Sequence, residues 1–130
     1  MEIELKHVEN FRFKVVSDKF EMSIDQAHEY GGDGTGPMPS ELLLWSIASC
    51  IGQSIVFVAS KKRLELKNLR IHVEGKKNNE TFRLDSIDVY IHTDNKSNVL
   101  DNILDIAKKY CFVSNTIIND AQVNYKTNGL

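Results

Sequence analysis

Only two cysteines, two prolines and one tryptophan occur among the 130 residues, and the formal net charge is no larger than -2. Two thiols 61 residues apart cannot build the disulfide framework of a small secreted domain. They are also too few and too scattered to form a zinc site by themselves. So small a net charge lacks the basic footprint of a nucleic-acid-binding surface. The first residues, Met1-Glu2-Ile3-Glu4-Leu5-Lys6, carry neither the basic start nor the apolar run of a secretory leader. The chain is therefore expected in the cytoplasm, where thiols stay reduced unless they do redox work. Asn79-Glu80-Thr81 and Asn95-Lys96-Ser97 then read as chance matches to a glycosylation pattern. Repeats, low-complexity tracts and linkers are missing too. A hydrophobic content of 42% and a charged content of 26% are ordinary for one soluble domain covering residues 1–130.

The scarcity of proline leaves one long stretch uninterrupted. No proline falls between residues 40 and 63, and Pro39 sits where its missing N–H costs nothing, at the first turn of a helix. Lys61, Lys62 and Arg63 complement the negative end of the dipole. The reading is one helix of roughly 22 residues, about 33 Å long. Apolar side chains point in nearly every direction around it, so it must be covered on all sides. Residues 42–59 reach the length of a membrane span. The small and polar middle, Ser46, Ser49, Cys50, Gly52, Gln53 and Ser54, favours a buried core helix instead and no membrane association. Ser46, Cys50 and Ser54 recur at i, i+4 and i+8, which predicts a shallow groove for a second helix.

Ahead of this helix, residues 2–8, 11–17 and 20–24 carry β-prone residues. Phe11, Phe13 and Val15 share one face, and Asn10 offers a break. An N-terminal antiparallel meander follows from this pattern. Residues 26–38 read as a loop, and Gly31-Gly32-Asp33-Gly34-Thr35-Gly36-Pro37 fails both the GxGxxG spacing and the P-loop lysine. Behind the helix, Leu69, Ile71 and Val73 alternate with polar residues as a strand, and residues 75–79 read as a turn. In the next strand the apolar parity switches near Asp85-Ser86, which predicts a bulge. A second helix opens at residues 95–97 with Val99, Leu100, Ile103, Leu104, Ile106 and Ala107 on its stripe and ends near Tyr110. A short third helix capped by Ser114 or Asn115 is expected at residues 112–118, then a closing strand at 121–125.

His7, His28, His72 and His92 have no second ligand at metal spacing, so they read as solvated surface residues. Cys50, in the middle of the apolar helix, and Cys111, at a junction of two helices, read on composition as small buried hydrophobes.

Their surroundings say more. Gly36-Pro37-Met38-Pro39-Ser40-Glu41-Leu42-Leu43-Leu44, running into Ala48-Ser49-Cys50, resembles the first cysteine motif of the OsmC/Ohr family. Tyr110-Cys111-Phe112-Val113-Ser114-Asn115-Thr116 resembles its second, and the order of elements agrees along nearly the whole chain. The resemblance implies an α+β fold: a strand meander, a long central cysteine helix, a two-stranded segment, a second cysteine helix and a closing strand. It also implies an intertwined homodimer with the long helices at its centre. Members of the family are thiol peroxidases that prefer organic hydroperoxides and use no metal or cofactor. The resemblance implies Cys50 as the peroxidatic residue, Cys111 as the resolving one, and a dithiol reductant of the lipoyl type.

A cysteine in the middle of a helix gains little from the helix dipole and needs a nearby cation to hold its thiolate. The family supplies an arginine from the segment before the long helix, oriented by a glutamate that directly follows the proline. Arg12 is the only arginine ahead of the helix, while the acid's position is occupied by Ser40. Glu41 is nine residues before Cys50, on the opposite side of a helix turning by about 100° per residue, and does not substitute. The alternative is therefore a non-catalytic homodimer that binds a small hydrophobic or thiol ligand. Ser40→Glu is expected to raise the rate with an organic hydroperoxide at neutral pH by roughly tenfold, equivalent to about 1.4 kcal/mol. Stopped-flow kinetics across pH check it, and an unchanged rate favours the binding protein.

Overall fold

Asn10 makes the first turn of the chain. Its φ of 46° lies in the left-handed region that asparagine tolerates better than most residues, and its amide donates to Gly31 O at 2.9 Å. On either side run β1 (Leu5–Glu9) and β2 (Arg12–Val15), antiparallel, and β3 (Ser23–Ile24) pairs with the other edge of β2. The computed structural model describes residues 1–128, and the chain groups into two compact units, Met1–Trp45 and Ser46–Leu130.

The meander of the first unit is the one expected, with shorter strands. Phe11 falls in the turn, and Phe20 and Met22 precede the two-residue β3. Phe13 stands opposite both His7 and Ile24. Leu5, Phe11, Phe13 and Ile24 meet Pro39 around a small cavity of about 280 Å³.

The glycine-rich loop folds on Asp25, which is 1% exposed. Its Oδ1 accepts from Gln26 N–H at 2.7 Å, and its Oδ2 accepts from Thr35 N–H at 3.1 Å and from the Thr35 hydroxyl at 2.7 Å. Backbone bonds from Gly32 to Ala27 O and from Gly34 to Gln26 O, both 3.1 Å, close the loop further. A Cβ at Gly32 would lie 2.0 Å from Gln26 O, and one at Gly36 would lie 2.0 Å from Ser23 O. These glycines admit the chain's own carbonyls, in agreement with the failed phosphate-loop spacing.

The long helix, α1, runs Pro39–Lys61 over 23 residues. It ends where Arg63 turns to φ 54° and Leu64 N–H reaches back to Ala59 O at 2.9 Å. By length and composition α1 could also cross a membrane, but in the second unit it supplies the core. Ile51, Ile55, Val58 and Ala59 pack with Ile103, Ala107 and Cys111. Ile55 and Ile103 are fully buried, each stabilising the unit by roughly 1.5–3 kcal/mol. At Gly52 a Cβ would lie 2.8 Å from Ile71 Cδ1, so a strand side chain packs closely against the helix there.

That strand is β4 (Arg70–Asn78), which pairs with β5 (Arg83–His92) as an antiparallel hairpin. The turn expected at residues 75–79 is a correction: β4 continues to Asn78, and residues 79–82 reverse the chain. Glycine and lysine weaken a strand only modestly, and a full ladder to β5 outweighs them. Lys76 pairs with Ser86 and Lys77 with Leu84, so Asp85 is the extra residue of the predicted bulge.

Helix α2 (Ser97–Ala107) continues into a 3₁₀ turn (Lys108–Tyr110), and α3 (Phe112–Ile118) follows. The cap expected at Ser114 or Asn115 lies further back, at Cys111, without a side-chain bond. Ser114 is already inside the helix, donating to Cys111 O at 3.3 Å. The closing strand expected at 121–125 is not formed. A strand exists only where a neighbour completes its ladder, and among the described residues none pairs with this segment, whose Val123 and Tyr125 are exposed.

Asp25 gives the first unit an acid-sensitive fastening. Its carboxyl is held below the ordinary carboxylate range, chiefly by the Thr35 hydroxyl, against an opposing push from burial. A group with a depressed folded pKa contributes its full stability above the unfolded pKa and loses it as pH falls through the folded one. Asp25→Asn is therefore expected to melt below the unaltered protein at pH 7. The gap between the two is expected to narrow towards pH 3 in thermal melts followed by circular dichroism.

Candidate active site

Within the second unit, α1, β5, α2 and α3 surround a cavity of about 500 Å³. Helical spacing sets Ile47 and Ile51 on one face of α1, and the alternation of β5 sets Ile87, Val89 and Ile91 opposite. Leu104 of α2 and Ile117 and Ile118 of α3 complete the apolar wall. Its polar groups come from three places: Asp85 and Ser86 at the bulge, Lys108 in the 3₁₀ turn, and Ser114.

Cys111 lines this cavity and is itself completely buried. Its position follows from the chain path. The 3₁₀ turn tightens the end of α2, Cys111 takes an extended conformation at φ -78° and ψ 94°, and α3 begins at once. Its carbonyl accepts from Asn115 N–H at 3.0 Å. Cys50 is half-buried and packs against the apolar cluster that contains Cys111. Its carbonyl accepts from the Ser54 hydroxyl at 3.0 Å. Two cysteines far apart in sequence thus reach the same hydrophobic cluster, Cys111 within it and Cys50 against it, and both are free thiols. Cys111 faces the cavity, while Cys50 is not among its lining residues.

The polar rim is unevenly committed. Asp85 Oδ1 accepts from Arg83 Nε at 3.1 Å and its Oδ2 from Asn78 at 3.0 Å. Asn78 first, then Arg83, hold its carboxyl below the usual range. Lys108 has one distant contact, 3.5 Å to Asp105 Oδ1, between two exposed side chains. An exposed pair of this kind contributes at most about 1 kcal/mol.

Arg12 lies in the first unit, on β2, where its guanidinium pairs with Glu9 at 3.1 Å. Ser40 and Glu41 occupy the first turn of α1, both half-buried. The four histidines are exposed, as read from the sequence; His7 bonds Asn10 O at 2.8 Å and His72 pairs with Glu74 at 3.0 Å. Lys108 lies behind α1, outside the segment in which the sequence places an activating cation. The available signal was Lys108-Lys109-Tyr110-Cys111, with a lysine one helical turn before the second cysteine.

The sequence model of the OsmC-like protein family matches residues 32–126. A hydroperoxide reductase of Mycoplasma pneumoniae (strain ATCC 29342 / M129 / Subtype 1) is 25% identical over 126 residues, covering 92% of this chain and 88% of that protein. Among solved structures, an OsmC-like protein from Mycoplasma pneumoniae superposes with a TM-score of 0.76 at 22% identity, over 95% of this chain and 90% of that one. An organic hydroperoxide resistance protein OsmC from Legionella pneumophila gives 0.70 at 19% identity, over 90% and 89%. The two structures agree with this chain in fold.

Proposed function

The chain belongs to the OsmC-like protein family, and from that premise we propose that it is a thiol peroxidase acting on organic hydroperoxides. The observation that carries the reading is that Cys50 packs against the apolar cluster containing Cys111, beside a cavity able to take an organic molecule. The similarity to a hydroperoxide reductase supports it.

In the proposed cycle the Cys50 thiolate attacks the terminal oxygen of R–O–OH and the O–O bond breaks. Cys50 becomes a sulfenic acid, and the departing alkoxide takes a proton to leave as R–OH. The Cys111 thiol then displaces water from the sulfenic acid, forming a disulfide between the two sulfurs. A dithiol reductant of the lipoyl type reopens it by exchange and leaves as its own disulfide. The peroxide is thereby reduced by two electrons drawn from the dithiol, and the cycle calls on no metal or cofactor. The thiolate calls for a neighbouring cation, the part that the family resemblance gives to Arg12. The working compartment is assigned to the cytoplasm.

The active form is proposed to be a homodimer. Leu43, Trp45, Val56 and Phe57 of α1 are exposed within one chain, although a helix apolar all round needs cover on every side. A second hollow along α1, between Ala48, Gly52 and Val56 on one side and Leu69 and Ile71 on the other, adds to that uncovered surface. Ser40, in place of an orienting acid, favours the second reading, a non-catalytic dimer binding a small hydrophobic or thiol ligand.

Mass spectrometry after limiting organic hydroperoxide is expected to find a Cys50–Cys111 bridge within one chain. Cys111→Ser is expected to accumulate a sulfenic acid at Cys50 instead. Two reduced, unmodified thiols after exposure would rule out the peroxidase. Light scattering at micromolar concentration is expected to give about twice the 14.8 kDa chain mass; a monomer mass removes the dimer.

A further inference from the structure

The polar rim of the 500 Å³ cavity has a sign. At the bulge, the Asp85 charge is already countered by the Arg83 guanidinium, and its second oxygen accepts from Asn78. Lys108 lines the same cavity; its ammonium carries three donors, and its pairing with Asp105 is long and exposed. Ser114 donates its proton to Cys111 O, which leaves its hydroxyl oxygen turned to acceptor work. The walls between these groups are aliphatic: Ile47, Ile51, Ile87, Leu104 and Ile117. The volume falls in the range, roughly 300–1,000 Å³, of sites that enclose small organic ligands. A molecule suited to all of this has an aliphatic body and one anionic head.

We infer that this cavity binds an aliphatic carboxylate, with its chain along the α1 and β5 isoleucines and its carboxylate on the Lys108 ammonium. Burying the chain supplies most of the affinity, at about 0.8 kcal/mol per methylene. The charge-assisted contact at the rim selects the head and fixes which end lies outward. Lysine suits this task as a point charge on a flexible stem, able to follow a carboxylate at the mouth. The inference is independent of turnover at the thiols, and its test contains no peroxide.

Isothermal titration of the full chain with decanoate and with decan-1-ol, equal in length and different in charge, decides it. Decanoate is expected to bind about tenfold more tightly than the alcohol, a ratio equivalent to about 1.4 kcal/mol. That preference is expected to vanish in Lys108→Met and to persist in Lys108→Arg, while circular dichroism shows all three chains folded alike. Ile87→Phe, which sets a ring into the cavity, is expected to weaken both ligands; the Lys108 pair stands as the test if that variant does not fold. Equal affinity for acid and alcohol, a preference that survives Lys108→Met, or no binding of decanoate overturns the inference. A peroxidase that fails this test remains a peroxidase, and a carboxylate-binding chain with inert thiols remains a carboxylate-binding chain.

Discussion

A 23-residue helix with apolar side chains on nearly every side sets the terms for the rest of this fold. Burial of that surface is the main source of stability available to so short a chain. The elements that follow α1 supply much of its cover. The β4–β5 hairpin brings Ile71 against Gly52, α2 brings Ile103 and Ala107 against Ile55 and Val58, and Cys111 fills the place where α2 gives way to α3. The cover remains partial, because Trp45, Val56 and Phe57 stay exposed.

The same constraint explains why the candidate site lies where it does. Elements that converge on one helix from three directions, each with its own curvature, do not fill the space between them completely. The Asp85 bulge bends β5, and the 3₁₀ turn after α2 offsets α3 from it. Between these irregularities lies the cavity, with a cysteine in its wall and a lysine at its rim. Apolar walls of this kind suit the chemistry proposed for the thiols, since they can pack against the organic part of a peroxide. They also make the few polar groups at the mouth decisive for what enters.

The first unit shows how a motif with a familiar look can carry a structural load. Its run of glycines is the pattern that invites a phosphate reading. Here the missing side chains make room for the carbonyls of Gln26 and Ser23. One buried carboxylate, Asp25, gathers the loop ends through Thr35 and Gln26. The loop is thereby a fastened connection into α1.

Periodicity and local chemistry made much of this legible in advance. The extent of α1, the stripe of α2, the turn at Asn10 and the bulge near Asp85 all follow from spacing within a few residues, where the forces are local. The two cysteine motifs carried the family. Other features depended on partners distant in sequence. Whether residues 75–79 turn or continue as strand was decided by the ladder with β5. The segment 121–125 has strand spacing and no strand, because pairing is a property of two segments and only one was read. Ser114 looked like a cap and sits inside α3, since the break that starts the helix comes one turn earlier, at Cys111. The sequence by itself determined which residues must be buried and which types of chemistry were at hand. Only the tertiary structure decided that Cys111 and not Cys50 lines the cavity, and that Lys108 stands at its rim. Side-chain direction in space depends on how helices and strands pack against one another, and no single stretch of sequence contains that information.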